Sequence, residues 1–102
     1  MIRISVLYPN EAGKKFDWDY YLNKHMPMAQ QMLEPLGLVK LEVDKGIGTR
    51  EPNAPPPYIA IGYLYFNSME EFQKAVPTCE ESALDLPNYT DIEPIFQISE
   101  IV

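Results

Sequence analysis

Tyr58-Ile59-Ala60-Ile61-Gly62-Tyr63-Leu64-Tyr65-Phe66 is apolar on both parities: Tyr58, Ala60, Gly62, Leu64 and Phe66 on one, Ile59, Ile61, Tyr63 and Tyr65 on the other. A short run rich in aromatic and β-branched residues, with no polar side, reads as a strand buried on both faces. Upstream lies Gly46-Ile47-Gly48-Thr49-Arg50-Glu51-Pro52-Asn53-Ala54-Pro55-Pro56-Pro57, whose glycines loosen its start and whose prolines stiffen its end. It is too long for an ordinary hairpin loop and is expected to be a lid, a dimer arm or a mobile flap. Before it, Val39, Leu41 and Val43 alternate with Lys40, Glu42 and Asp44, the pattern of an edge strand with one wet face. Ile2, Ile4, Val6 and Tyr8 repeat at period two until Pro9-Asn10-Glu11-Ala12-Gly13 ends that strand. Residues 94–102 form the last strand, through Phe96, Ile98 and Ile101.

Two helical patterns separate these strands. Asp17 is placed as an N-cap, Asp19 favours the helix dipole, and Phe16 staples onto Tyr21. The apolar stripe then runs through Tyr21, His25, Met28 and Met32, flanked by Trp18, Leu22, Ala29 and Leu33. Pro27 has no N–H for the carbonyl of Asn23 and crowds it, so a kink is expected there. Gly37 suits a left-handed C-terminal position. In the second pattern, Ser68 and Glu71 form a capping box ahead of Phe72, Ala75, Val76 and Cys79. Pro77 is expected to break this helix, with a second capping box, Thr78 and Glu81, restarting a separate piece over residues 78–86. Pro87-Asn88-Tyr89-Thr90-Asp91 reads as a turn cluster.

The order β-α-β-β-α-β within residues 1–102 predicts one α+β domain of ferredoxin-like topology, a four-stranded antiparallel sheet with both helices on one face. The third strand is apolar on both sides, so the uncovered face would expose a large hydrophobic patch in a monomer. A homodimer closed sheet to sheet around a barrel-like interior, a dimeric α/β-barrel, is therefore expected.

Composition narrows the function. Eight Lys and Arg against fifteen Asp and Glu give a net charge of −7, which argues against nucleic acid and anionic membrane surfaces as partners. The alternating N-terminus is neither a signal peptide nor a membrane span, so a cytoplasmic protein is expected. Cys79 and His25 are the only residues of their types, too few for a zinc-type cluster, and no metal is expected. No cofactor is expected either: a Cys-x-x-Cys-His haem attachment is absent, and Gly46-Ile47-Gly48 is not followed by a helix that would make it a nucleotide loop. Ser-His-Asp catalysis has no supporting motif.

His25 stands on the apolar side of its helix, two residues from a proline. It is either a histidine packed at the core edge or the acid–base group of a pocket, where a pKa near 6.5 would suit proton transfer with a phenol or an activated carbon. Tyr21, four residues before it, shares its face and is the better catalytic partner; Tyr20 lies about 100° away. Trp18, Tyr20, Tyr63, Tyr65, Asn88 and Tyr89 are candidate substrate-binding residues. Each also has a structural reading: packing for the aromatics, a dimer core for Tyr63 and Tyr65, turn stabilisation for Asn88 and Tyr89.

The chain also resembles the EthD family, small dimeric α/β-barrel proteins named from bacterial ethyl tert-butyl ether degradation. The resemblance rests on Val6-Leu7-Tyr8-Pro9, Phe16-Asp17 through Tyr20-Tyr21 to His25-Met26-Pro27, the Gly46 turn, Pro55-Pro56-Pro57-Tyr58, and Pro87-Asn88-Tyr89-Thr90. It implies a homodimer of ferredoxin-like protomers with a pocket between sheet and helices, and no settled activity. The wider group holds monooxygenases that need no cofactor, a lactone isomerase and haem enzymes. The expectation is a cofactor-free enzyme of oxygenase, isomerase or decarboxylase type, acting on a small apolar or aromatic metabolite with His25 as general acid–base. The alternative is a non-catalytic dimeric small-molecule-binding or accessory protein of a catabolic pathway.

Overall fold

A computed structural model describes residues 1–102. Strands β1 (Ile2–Pro9), β2 (Leu38–Lys45), β3 (Tyr58–Phe66) and β4 (Ile95–Glu100) form one sheet in the order β2-β3-β1-β4. All three pairings are antiparallel. With one helix between β1 and β2 and another between β3 and β4, the architecture is α+β and ferredoxin-like, as the pattern of elements requires. The doubly apolar strand β3 lies inside the sheet, and β2, with its alternating charges, is an edge.

The first helix begins where Asp17 Oδ1 accepts a hydrogen bond from Tyr20 N at 3.1 Å. It is α-helical over Trp18–Tyr20, π-helical over Tyr21–His25 and α-helical again over Met26–Leu33. The widened turn, rather than a simple kink, is how the chain accommodates Pro27. The Met26 N–H reaches back to the Tyr21 carbonyl, five residues away, which inserts one residue ahead of the proline that cannot donate. A 3-10 turn, Glu34–Leu36, closes the helix at Gly37, whose φ of 106° is accessible to glycine at little cost.

The second helix spans Met69–Ala83 without interruption, capped by Ser68 Oγ accepting from Glu71 N at 3.3 Å. The expected break at Pro77 and restart at Thr78 do not occur. Pro77 and Gln73, whose carbonyl the proline leaves unpaired, are both exposed residues, while Phe72, Ala75, Val76 and Cys79 pack at helical spacing across Pro77. Packing of a continuous buried stripe outweighs the local cost of the proline.

The β1–β3 register, Ile4 opposite Leu64 and Val6 opposite Gly62, assigns the faces of the sheet. Ile2, Ile4, Val6 and Tyr8 share the helix-covered face with Ala60, Gly62, Leu64 and Phe66. The opposite face carries Ile59 and Ile61, together with a polar lattice that the expected hydrophobic patch lacks. There the Tyr63 hydroxyl donates to Asp44 at 2.8 Å, the Tyr65 hydroxyl donates to Glu42, and the Arg3 guanidinium sits 5.4 Å from the Tyr63 ring. Burial and the Asp44 carboxylate push the Tyr63 hydroxyl up to about 12. The 46–57 connection folds back on the end of β1, where Asn10 donates to the carbonyls of Pro56 and Pro57 at 3.0 and 2.9 Å. No helix is long and apolar enough to cross a membrane.

Candidate functional site

Between the sheet and the helices lies a cavity of about 120 Å³, and 15 of its 18 lining residues are apolar. His25 is on its wall and only 8% exposed. The π turn delivers it there, with Tyr21 stacked on the imidazole at 5.7 Å and the Tyr89 ring 4.6 Å from it. π turns of this kind recur at functional sites because they re-aim side chains within an otherwise regular helix.

The imidazole is not merely packed. Nδ1 lies 3.1 Å from Asp85 Oδ2, and Asp85 Oδ1 accepts from the Tyr20 hydroxyl at 2.7 Å and from Asn88 Nδ2 at 2.8 Å. Asp85 follows the second helix and is held by its own amide on the Ser82 carbonyl. Burial pushes the His25 pKa below its ordinary 6.5, and the opposing pull of Asp85 does not cancel this. Burial would raise the Asp85 carboxyl, but hydrogen bonds from Asn88, Tyr20 and His25 outweigh it and hold the carboxyl below its usual range. The pair is therefore a neutral imidazole beside a carboxylate at pH 7. The Asp85 contact assigns the imidazole proton to Nδ1, which leaves Nε2 as a lone-pair base with no protein partner.

The aromatic end of the cavity carries a second polar feature. Tyr8 and Tyr89 pair hydroxyl to hydroxyl at 2.9 Å, and Tyr21 lies beside Tyr8 with ring centroids 5.8 Å apart. Burial drives all three hydroxyls well above the ordinary phenol range, so they act as neutral hydrogen-bonding groups and not as bases.

Of the residues the sequence singles out, His25, Tyr21 and Tyr89 come together on the cavity wall. Tyr20 and Asn88 stand behind it, holding Asp85. Trp18 packs on Phe16 and Tyr21, at 4.9 and 5.9 Å between centroids, and does not line the cavity. Tyr63 and Tyr65 are on the far face of the sheet, since the parity of β3 that meets the helices is that of Gly62 and Leu64; they take no part in this site. Sequence reading misses Tyr8 and Asp85. Tyr8 is visible as the polar-tipped last member of the Ile2-Ile4-Val6-Tyr8 stripe. Asp85 has no such signal: it is one of fifteen acidic residues and lies 60 positions from His25.

These features define a class: a ferredoxin-like α+β protein with a His–Asp pair on the wall of an apolar cavity. The EthD domain family matches residues 11–93, and the chain belongs to that family. An EthD-like protein from Ralstonia eutropha JMP134 is 35% identical over 99% of this chain and 91% of its own, with a TM-score of 0.90. An EthD family protein from Bacillus halodurans C-125 shares the fold at 19% identity and a TM-score of 0.71, covering 100% of this chain and 99% of its own. A mutant of SnoaB, a cofactor-independent oxygenase from Streptomyces nogalater, shares it more distantly, at 13% identity, a TM-score of 0.55, and coverage of 98% and 90%. No curated protein matches the chain significantly.

Proposed function

We propose that the chain is a cofactor-free enzyme acting in the cytoplasm on a small apolar or aromatic metabolite held in the cavity, with His25 as general acid–base. The observation that carries this reading is the free Nε2 of an imidazole oriented through Nδ1 by Asp85, on the wall of a largely apolar cavity. Nε2 takes a proton from a phenol or an activated C–H, Asp85 stabilises the imidazolium that forms, and the proton returns to the same or another atom of the substrate. Asp85 does for His25 what an orienting carboxylate does in hydrolytic triads: it selects the tautomer and offsets the developing charge. Return of the proton elsewhere is isomerisation; capture of the anion by dioxygen as co-substrate is oxygenation.

Hydrogen–deuterium exchange in D2O tests this with a panel of small phenols and cyclic 1,3-diketones. The wild type accelerates exchange, and His25→Ala loses the acceleration while keeping its melting temperature. Equal exchange by the two proteins overturns the reading. The apolar lining supports a second reading, a non-catalytic binding or accessory protein, in which the same compounds bind and no exchange is accelerated.

The protomer is proposed to act as a homodimer. Half-buried Ile59 and Ile61, with exposed Ile95, lie on the helix-free face, and Phe96 and Ile98 of the outer strand β4 are 62% and 47% exposed. A solution mass showing only monomer at micromolar concentration would sink that proposal.

A further inference from the structure

Three buried tyrosine hydroxyls meet at one end of the cavity, and their protons do not balance. Tyr8, Tyr21 and Tyr89 are each at most 2% exposed, and all three line the cavity. The Tyr8 and Tyr89 hydroxyls are 2.9 Å apart, and the Tyr21 ring lies beside Tyr8 with centroids 5.8 Å apart. A phenol carries one proton, so three hydroxyls in a chain form at most two mutual hydrogen bonds and one proton is left over. No backbone carbonyl or carboxylate of the protein accepts it. The three side chains are almost wholly buried, so the open space their hydroxyls can meet is the cavity they line.

The chain has made room for this cluster. A Cβ at position 62 would stand 2.6 Å from the Tyr21 hydroxyl, so only the bare backbone of Gly62 lets the oxygen lie against β3. His25 at the same end contributes the complementary group, an acceptor nitrogen, so the cavity presents one donor and one acceptor to whatever fills it. Its volume of about 120 Å³ is near the roughly 150 Å³ of an apolar cavity that holds one benzene.

We infer that the Tyr8–Tyr21–Tyr89 hydroxyls are an oxygen-binding pole and that the ligand is a single-ring compound with a carbonyl or phenolic oxygen seated on it. The inference names the substrate class of the site proposed above, and its placement of the acidic hydrogen at His25 rests on that reading. The oxygen preference itself does not. Deprotonation at Nε2 then moves negative charge onto an oxygen that the spare O–H already faces, as donors of an oxyanion site do.

Titration of the protein with 4-fluorophenol and its near-isostere 4-fluorotoluene, followed by 19F NMR, tests the pole directly. The wild type is expected to bind the phenol about tenfold more tightly or better, because the toluene leaves the buried donor unpaired. Equal affinities, or binding of neither probe, overturn the inference, and this comparison needs no variant to fold. Tyr21→Phe and Tyr89→Phe remove the two ends of the hydroxyl chain; the one that donates to the ligand loses the preference and keeps its affinity for 4-fluorotoluene. Retention of the preference by both also overturns it. His25→Asn separates the two proposals: it abolishes exchange catalysis and keeps the phenol preference, whereas wild-type exchange without any oxygen preference removes the pole and leaves the base.

Discussion

The helix-covered core has two ends of unlike chemistry. At one end Ile2, Ile4, Leu33, Leu38 and Phe66 pack with Ala29 and Ala75, side chains that carry no polar atom. At the other, Tyr8, Tyr21 and Tyr89 surround Ala60 and Ile92, with His25 among them. Burying an aliphatic side chain gains about 1.5–3 kcal/mol and asks for nothing more. Burying a tyrosine gains similar area but obliges its hydroxyl to find a partner, so the aromatic end is stable only as a network. The aliphatic end is thus free to serve stability, while the aromatic end carries groups whose remaining valences point at the cavity.

That division can be broken at either end. Phe66 is fully buried and does not line the cavity. Phe66→Ala should therefore cost about 4 kcal/mol of unfolding free energy in urea, while the folded fraction binds 4-fluorophenol as before; a parallel loss of binding would show that the two ends are not separable. Gly62→Ala attacks the aromatic end, where its methyl meets the Tyr21 hydroxyl. We expect a loss of about 2 kcal/mol from overpacking. Adding Tyr21→Phe removes the clashing oxygen, so the double variant should be less destabilised than the sum of the two single variants. Additive losses would mean the close approach is relieved in some other way.

The smallest effect is a pH dependence. The folded imidazole of His25 titrates below its ordinary 6.5, so between the folded value and 6.5 the unfolded chain binds more protons. Its contribution to stability is complete above 6.5 and lost as the pH falls through the folded value. Asp85 is the group that pulls this pKa up, so Asp85→Asn should move the loss, and the acid limb of any exchange activity, to lower pH. A shift to higher pH, or none, would show that the carboxylate does not govern the imidazole. Chemical denaturation at a series of pH values, with His25→Asn as the reference lacking the group, makes the measurement.

Much of this was legible in the chain. Period-two alternation marks β1 and β2, a run apolar on both parities marks β3, and Asp17, Ser68 and Gly37 mark helix ends because caps and left-handed turns depend on local side-chain chemistry. His25 and Tyr21 share a face by spacing alone. Pro77 misleads because a local helix breaker is overruled by a buried stripe that continues past it. Tyr63 and Tyr65 mislead for a different reason: a strand apolar on both parities does not say which parity the helices will cover.

By itself, then, the sequence determined the order of elements, the ferredoxin-like class and the nomination of His25, all consequences of periodicity and of contacts within a few residues. The tertiary structure alone decided what surrounds His25. The register of β3 on β1 turned Gly62 inward and Tyr63 outward, the π turn aimed the imidazole, and closure of the second helix over the sheet brought Asp85 to it across 60 residues. Contacts between residues so distant in the chain depend on how whole elements pack, and no local pattern encodes them.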